Sequence, residues 1–167
     1  TAVVKNVNLT EVFVNASWPA SSYVAGIAGY MASVQDDSRA GAWIDNCHVS
    51  GQITTVQDNG NLFIGGIAAY QYKGAITNCS TDMDLSGTVL GEALAEVGGI
   101  AALVNRGLVA NSYALCNVYG SGNRENDLEG MAVVSSLVAV DAGDVVGCYG
   151  SGDNTTKEFS NYAGMVS

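Results

Sequence analysis

Short apolar segments of four to seven residues recur along the chain, rich in Val, Ile and Tyr and broken by Gly, Asn or Ser. Within many of them apolar and polar positions alternate, which is the period of a strand with one buried face. No segment keeps a helical period for the ten or more residues that a stable helix needs.

The segments also repeat. Val24-Ala-Gly-Ile-Ala-Gly29, Ile64-Gly-Gly-Ile-Ala-Ala69 and Val97-Gly-Gly-Ile-Ala-Ala102 are three copies of one pattern, with weaker copies at Glu129-Gly-Met-Ala132 and Ala163-Gly-Met-Val166. Aligned this way, Gly26, Gly66, Gly99, Gly130 and Gly164 are spaced by 40, 33, 31 and 34 residues. A second element follows the first four copies: Ala42-Trp-Ile-Asp-Asn-Cys47, Gly74-Ala-Ile-Thr-Asn-Cys79, Gly107-Leu-Val-Ala-Asn-Ser112 and Gly143-Asp-Val-Val-Gly-Cys148. A third closes many of them, as in His48 to Ile53, Met83 to Val89 and Asn117 to Gly120.

Three short strands per repeat of about 33 residues predict a right-handed parallel β-helix, a solenoid of about five coils forming one domain over residues 1–167. The opening stretch from Val4 to Val14 fits the last two strands of a coil, so the domain is expected to continue in a longer parent chain. Helical repeats of similar period fail on the glycines, and a propeller blade would need four antiparallel strands joined by hairpins.

Stacking assigns columns. Ile27, Ile67, Ile100, Met131 and Met165 should line the interior together, and Ile44, Ile76, Val109 and Val145 should form another column. Small residues such as Gly66 and Gly99 would let the wall turn. Cys47, Cys79, Ser112 and Cys148 form a column of small residues, read as buried free thiols that pack as small hydrophobes. A disulfide between Cys47 and Cys79 is the competing reading, since adjacent coils lie at a compatible distance. Asn46, Asn78 and Asn111 make the neighbouring column, where stacked amides could bond along the axis.

Composition narrows the function classes. The chain has 167 residues, 21 of them Gly and 1 Pro, and only 13% are charged. Sixteen acidic residues against six basic ones leave a net charge of −10, which repels nucleic acid. No apolar run approaches the length of a membrane span, and no secretory leader opens the sequence. The four cysteines contain no CxxC pair, and His48 is the single histidine, which leaves a zinc site without ligands. One histidine in a strand, with no GxSxG and no HExxH, does not make a hydrolase triad or a metalloprotease. Sequons at Asn8, Asn15, Asn78 and Asn154 would matter only in a eukaryotic secretory route.

The segment from Leu108 to Gly120, Leu-Val-Ala-Asn-Ser-Tyr-Ala-Leu-Cys-Asn-Val-Tyr-Gly, together with Val97-Gly-Gly-Ile-Ala-Ala-Leu103, resembles the GLUG repeat. That repeat alternates a GGLVG-like strand with an NSYATGNVSG-like one. It occurs in large exported bacterial proteins, among them immunoglobulin A1 peptidases, adhesins and multidomain carbohydrate-active proteins. The resemblance covers nearly the whole chain and implies a β-helical fold at the cell surface or outside the cell. The sequence departs from it at Cys116, where the family often has Gly, and around Gly130.

Two functions from different classes follow. The first is a non-catalytic structural or adhesive module that displays adjacent domains of its parent or binds a host protein or glycan, with Tyr30, Tyr70, Tyr72 and Trp43 as stacking aromatics. The alternative is part of the catalytic β-helix of a glycoside hydrolase or polysaccharide lyase acting on host or dietary glycans. Its carboxylates would be Asp82 and Asp84 on one strand face and Asp45 on the preceding coil. A solvated strand face accounts for the same alternation.

Acidic residues cluster before the glycine-rich strands: Asp58, then Glu92 and Glu96, then Glu125, Asp127 and Glu129, then Asp153 and Glu158. Stacking would gather them along one edge. Calcium is the hard cation that such carboxylates would hold, with Asp58, Glu96 and Asp127 as candidate ligands. Plain solubility of an acidic surface is the competing reading.

Overall fold

The computed structural model describes residues 2–33, 41–123 and 132–156, with a short strand at 162–163. Among the described residues there is no helix. The first pass of the chain gives β1 (Val3–Lys5), β2 (Asn8–Trp18) and β3 (Ser22–Ala25), and the second gives β4 (Ala28–Ala32), β5 (Trp43–Asp45), β6 (His48–Gln57) and β7 (Leu62–Gly65). The third gives β8 (Ala68–Tyr72), β9 (Ala75–Thr77), β10 (Ser80–Glu92) and β11 (Ala95–Gly98), and the fourth gives β12 (Ala101–Ala110), β13 (Tyr113–Asn123) and β14 (Ala132–Ser135). Then come β15 (Val138–Val146), β16 (Tyr149–Ser151), β17 (Asn154–Thr156) and β18 (Tyr162–Ala163).

Every described pairing is parallel and joins one pass to the next. Three sheets result. The first runs β1-β5-β9-β12-β8-β4 with β15 on β12, the second β16-β13-β10-β6-β2 with β17 on β13, and the third β18-β14-β11-β7-β3. Each sheet receives five passes, and five passes enclose about four turns of a parallel β-solenoid. In the first sheet an early pass is split into two strands, as in β8 and β9, while β12 and β15 run through.

The core is the inside of the tube. Ile44, Ile76, Val109 and Val145 stand opposite one another in register, as the pattern predicts, and Val4 begins the column. Ile27, Ile67 and Ile100 also stack, with the amide of each bonded to the carbonyl of the next residue in the column, at 3.2 Å and 3.0 Å. The fourth member differs from the sequence alignment. The Ile100 amide bonds to Leu137 at 2.7 Å, and the register pairs Val97 with Val134 and Gly98 with Ser135. Leu137, which is fully buried, therefore occupies the place assigned to Met131. Gly130, Met131, Gly164 and Met165 lie outside the described residues. The alignment slipped because Ser135 and Ser136 replace the glycine pair, so glycine marked the wrong segment.

Glycine is required where coils touch most closely. A Cβ on Gly66 would collide with the carbonyl oxygen of Gly99, and one on Gly99 with that of Ser136. The asparagine column has a different origin from the expected amide ladder. Asn6, Asn46, Asn78 and Asn111 all sit at positive φ, 57°, 53°, 54° and 50°, and Gly147 continues them at 63°. Asparagine tolerates this left-handed conformation better than other residues with a Cβ, and each coil turns a corner there. One stacked amide pair does form, with Asn46 Nδ2 donating to Asn6 Oδ1 at 2.7 Å. Asn78 donates instead to Asp45.

Candidate functional site

Residues that point outward from the second sheet form two aligned columns. Phe13, Gln52, Asp84 and Asn117 are register partners across successive passes, and Asp153 follows beside Asn117. Parallel to them run Asn15, Thr54, Ser86, Tyr119 and Thr155. Between the upper parts of these columns lies a groove of about 230 Å³, lined by Gln52, Asp84, Ser86, Asn117, Tyr119 and Asp153 among others. Its polar groups hold one another: Asn117 Nδ2 donates to Asp84 Oδ1 at 2.9 Å, and the Asp153 amide donates to Asn117 Oδ1 at 3.2 Å. The sequence reading named Asp84 as a site residue and Asp153 as part of an acidic edge, but it did not group them with each other or with Gln52 and Asn117. Their 32- to 36-residue spacing was the available signal, hidden by the change of residue type.

The three carboxylates offered for catalysis do not meet as one set. Asp82 and Asp84 share the exposed face of β10, but Asp45 belongs to β5 in the first sheet. Asp45 is already engaged. It accepts from Thr77 Oγ1 at 2.6 Å and Asn78 Nδ2 at 2.8 Å, and pairs with Lys5 Nζ at 3.2 Å. Those donations, Thr77 first, hold its carboxyl below the ordinary aspartate range. The grouping failed because strands adjacent in sequence turn onto different sheets.

His48 is half-buried on the outer face of β6, where its Nδ1 lies 2.8 Å from Ser80 Oγ of the next pass. It borders a second, polar hollow of about 300 Å³ with Asn6, Asn8, Asn46, Asn78 and Ser80. The thiols of Cys47, Cys79 and Cys116 are buried and that of Cys148 is half-buried, and all four are free. Burial pushes the Cys79 thiol up to about 11 and raises that of Cys116.

Among the described residues the expected acidic edge is only partly assembled: Asp58 and Glu92 share one corner of adjoining passes, where Gly91 packs against Asp58, while Glu96 and Asp153 lie elsewhere. Asp58 is exposed in the turn after β6, and Asp153 sits between β16 and β17 on the second sheet. Glu96 lies within β11 on the third, while Glu125, Asp127, Glu129 and Glu158 fall outside the described residues. Among the described residues no group of three or more His, Cys, Asp or Glu is placed to share a metal ion.

Glu96 is the one buried acid among the described residues. It follows Tyr23 and Phe63 in the outward column of the third sheet, where that sheet bends into the first. It is 5% exposed, its Oε2 has no hydrogen-bond partner, and burial pushes its carboxyl up to about 7. Along this corner Tyr23 stacks on Phe63 with centroids 5.0 Å apart, and Tyr30 meets Tyr70 edge-on at 5.0 Å. Tyr30 and Tyr70 are register partners, as their repeat positions imply. The rings cover an outer apolar cluster of Phe63, Ala69 and Ala102. Four of these aromatics therefore pack on each other, and Trp43 stands apart on β5, donating from Nε1 to Thr77.

Fold and outer faces together define a parallel β-solenoid with a preformed groove on one sheet, bordered by polar side chains. No family model, curated protein or solved structure matches the chain.

Proposed function

We propose that the chain is a non-catalytic structural or adhesive module of an exported, cell-surface bacterial protein, holding neighbouring domains apart and offering its outer faces to a host glycan or protein. One observation carries this reading. Polar side chains on the outside are tied from coil to coil, as in Lys5, Asp45 and Asn78, in His48 and Ser80, and in Asp84 and Asn117, with Asn117 also accepting from the Asp153 backbone amide. Such ties stiffen a rod. The likeness to GLUG repeats, the net charge of −10 and the low charged fraction agree with an exported spacer.

The test is incubation of the purified chain with a panel of soluble polysaccharides, read by release of reducing or unsaturated ends, beside binding to the same polymers immobilised. Saturable binding without turnover is expected. Turnover that disappears in Asp84→Asn or Asp82→Asn would establish the glycoside hydrolase or lyase reading instead.

A further inference from the structure

We infer that the outer groove of the second sheet binds an uncharged polysaccharide strand lying along the solenoid axis. This rests on the adhesive role proposed above and gives it a site and a ligand class.

The groove repeats along the axis. Gln52, Asp84, Asn117 and Asp153 present a polar group at the same position of four successive passes. With strands about 4.8 Å apart, Asp84 and Asp153 stand roughly 9–10 Å from each other. A ligand with recurring hydroxyls along its length meets this series again and again, whereas a single sugar would use only part of it. The series is preorganised, because Asn117 is fixed between its neighbours by its bonds to Asp84 and to the Asp153 amide.

Aromatic faces complete the pattern. Phe13, in the same column one pass below Gln52, is 72% exposed, and Tyr119 lines the groove itself. Flat rings of this kind cover the C–H face of a sugar while amides and carboxylates take its hydroxyls.

Charge and backbone select among ligands. The groove lining includes Asp84 and Asp153 and no Lys, Arg or His, in a chain of net charge −10. Uronate, sulfate and phosphate polymers are repelled. A peptide adding itself as a strand is also disfavoured, since β6, β10 and β13 are already paired on both sides.

Affinity electrophoresis tests the inference, with the chain run through gels containing a mixed-linkage β-glucan, a galactomannan, dextran, polygalacturonate or dextran sulfate. Retardation by at least one of the three neutral polymers and by neither acidic one is expected. Gln52→Ala, Asn117→Ala and Phe13→Ala should each weaken it roughly tenfold, the loss of one hydrogen bond or stacking contact, and Tyr30→Ala at the distant aromatic corner should not. Gln52 and Phe13 are exposed, so their variants test the groove even if Asn117→Ala lowers the melting temperature. No retardation by any neutral polymer, equal retardation by an acidic one, or variants that bind like the parent would overturn the assignment. Glycan binding that ignores these residues would remove the groove and leave the adhesive role standing, whereas turnover would remove the adhesive role.

Discussion

Asn78 reaches back across one coil to Asp45, its Nδ2 donating to Oδ1 at 2.8 Å, while its own backbone sits at φ 54°. One side chain thus serves two needs, a corner that disfavours most residues with a Cβ and a tie to the coil before. Asn78→Ala should lose both and cost about 1–3 kcal/mol in urea unfolding. Asn78→Gly keeps the corner and loses the tie, so it should cost less. Equal losses in the two variants would show that the corner conformation contributes nothing.

The stacked interior column has a sharper test. Replacing Ile67 or Ile100 by Asp should abolish folding, since an unpaired carboxylate in a dry column costs several kcal/mol against a total stability of about 5–15. Leu137→Asp should do the same, because Leu137 continues that column. Circular dichroism melts decide it. A Leu137→Asp variant that melts like the parent would contradict the register between β11 and β14.

Glu96 contributes a pH dependence between weakly acidic and neutral pH. Its folded-state value of about 7 lies above the ordinary 4.5, so the folded form holds the proton more tightly. Stability from this group is full below about 4.5 and is lost as pH rises towards and through about 7, by at most roughly 3 kcal/mol. Glu96→Gln should remove that slope and raise the melting temperature at pH 8. A parent stability unchanged between pH 5 and 8 would rule out a buried, unpartnered carboxyl.

Thiol reactivity should follow burial. At pH 8 a thiol with a value near 11 is about one part in a thousand thiolate, so Cys79 should resist iodoacetamide in the native protein. Cys148, half-buried at the far end of the column, should be alkylated first, as peptide mass spectrometry would show. Rapid labelling of Cys79 before unfolding would mean that the wall between β5 and β9 opens readily.

The solenoid is legible wherever glycine and isoleucine keep their spacing, because steric closeness between coils admits so few residues. Gly66 and Gly99 are such positions. It becomes illegible where a serine meets the same need, which is how Leu137 escaped notice behind Gly130. The asparagine column is visible as a column, but its cause is a backbone angle that composition does not display. The groove on the second sheet needs the register before Gln52, Asp84, Asn117 and Asp153 can be seen as equivalents, since only their polarity is shared. Glu96 alternates like any solvated strand residue, and only the bend between two sheets buries it.

Because each pass touches only the one before and the one after, the molecule has no single centre whose loss dissolves the whole. Disruption should travel like a zipper opening from an extremity, with amide exchange slowest in β10 and its flanking turns and fastest at the outermost rungs. A rod of this kind yields under tension one rung at a time, and so it lengthens gradually where a compact domain would give way at once.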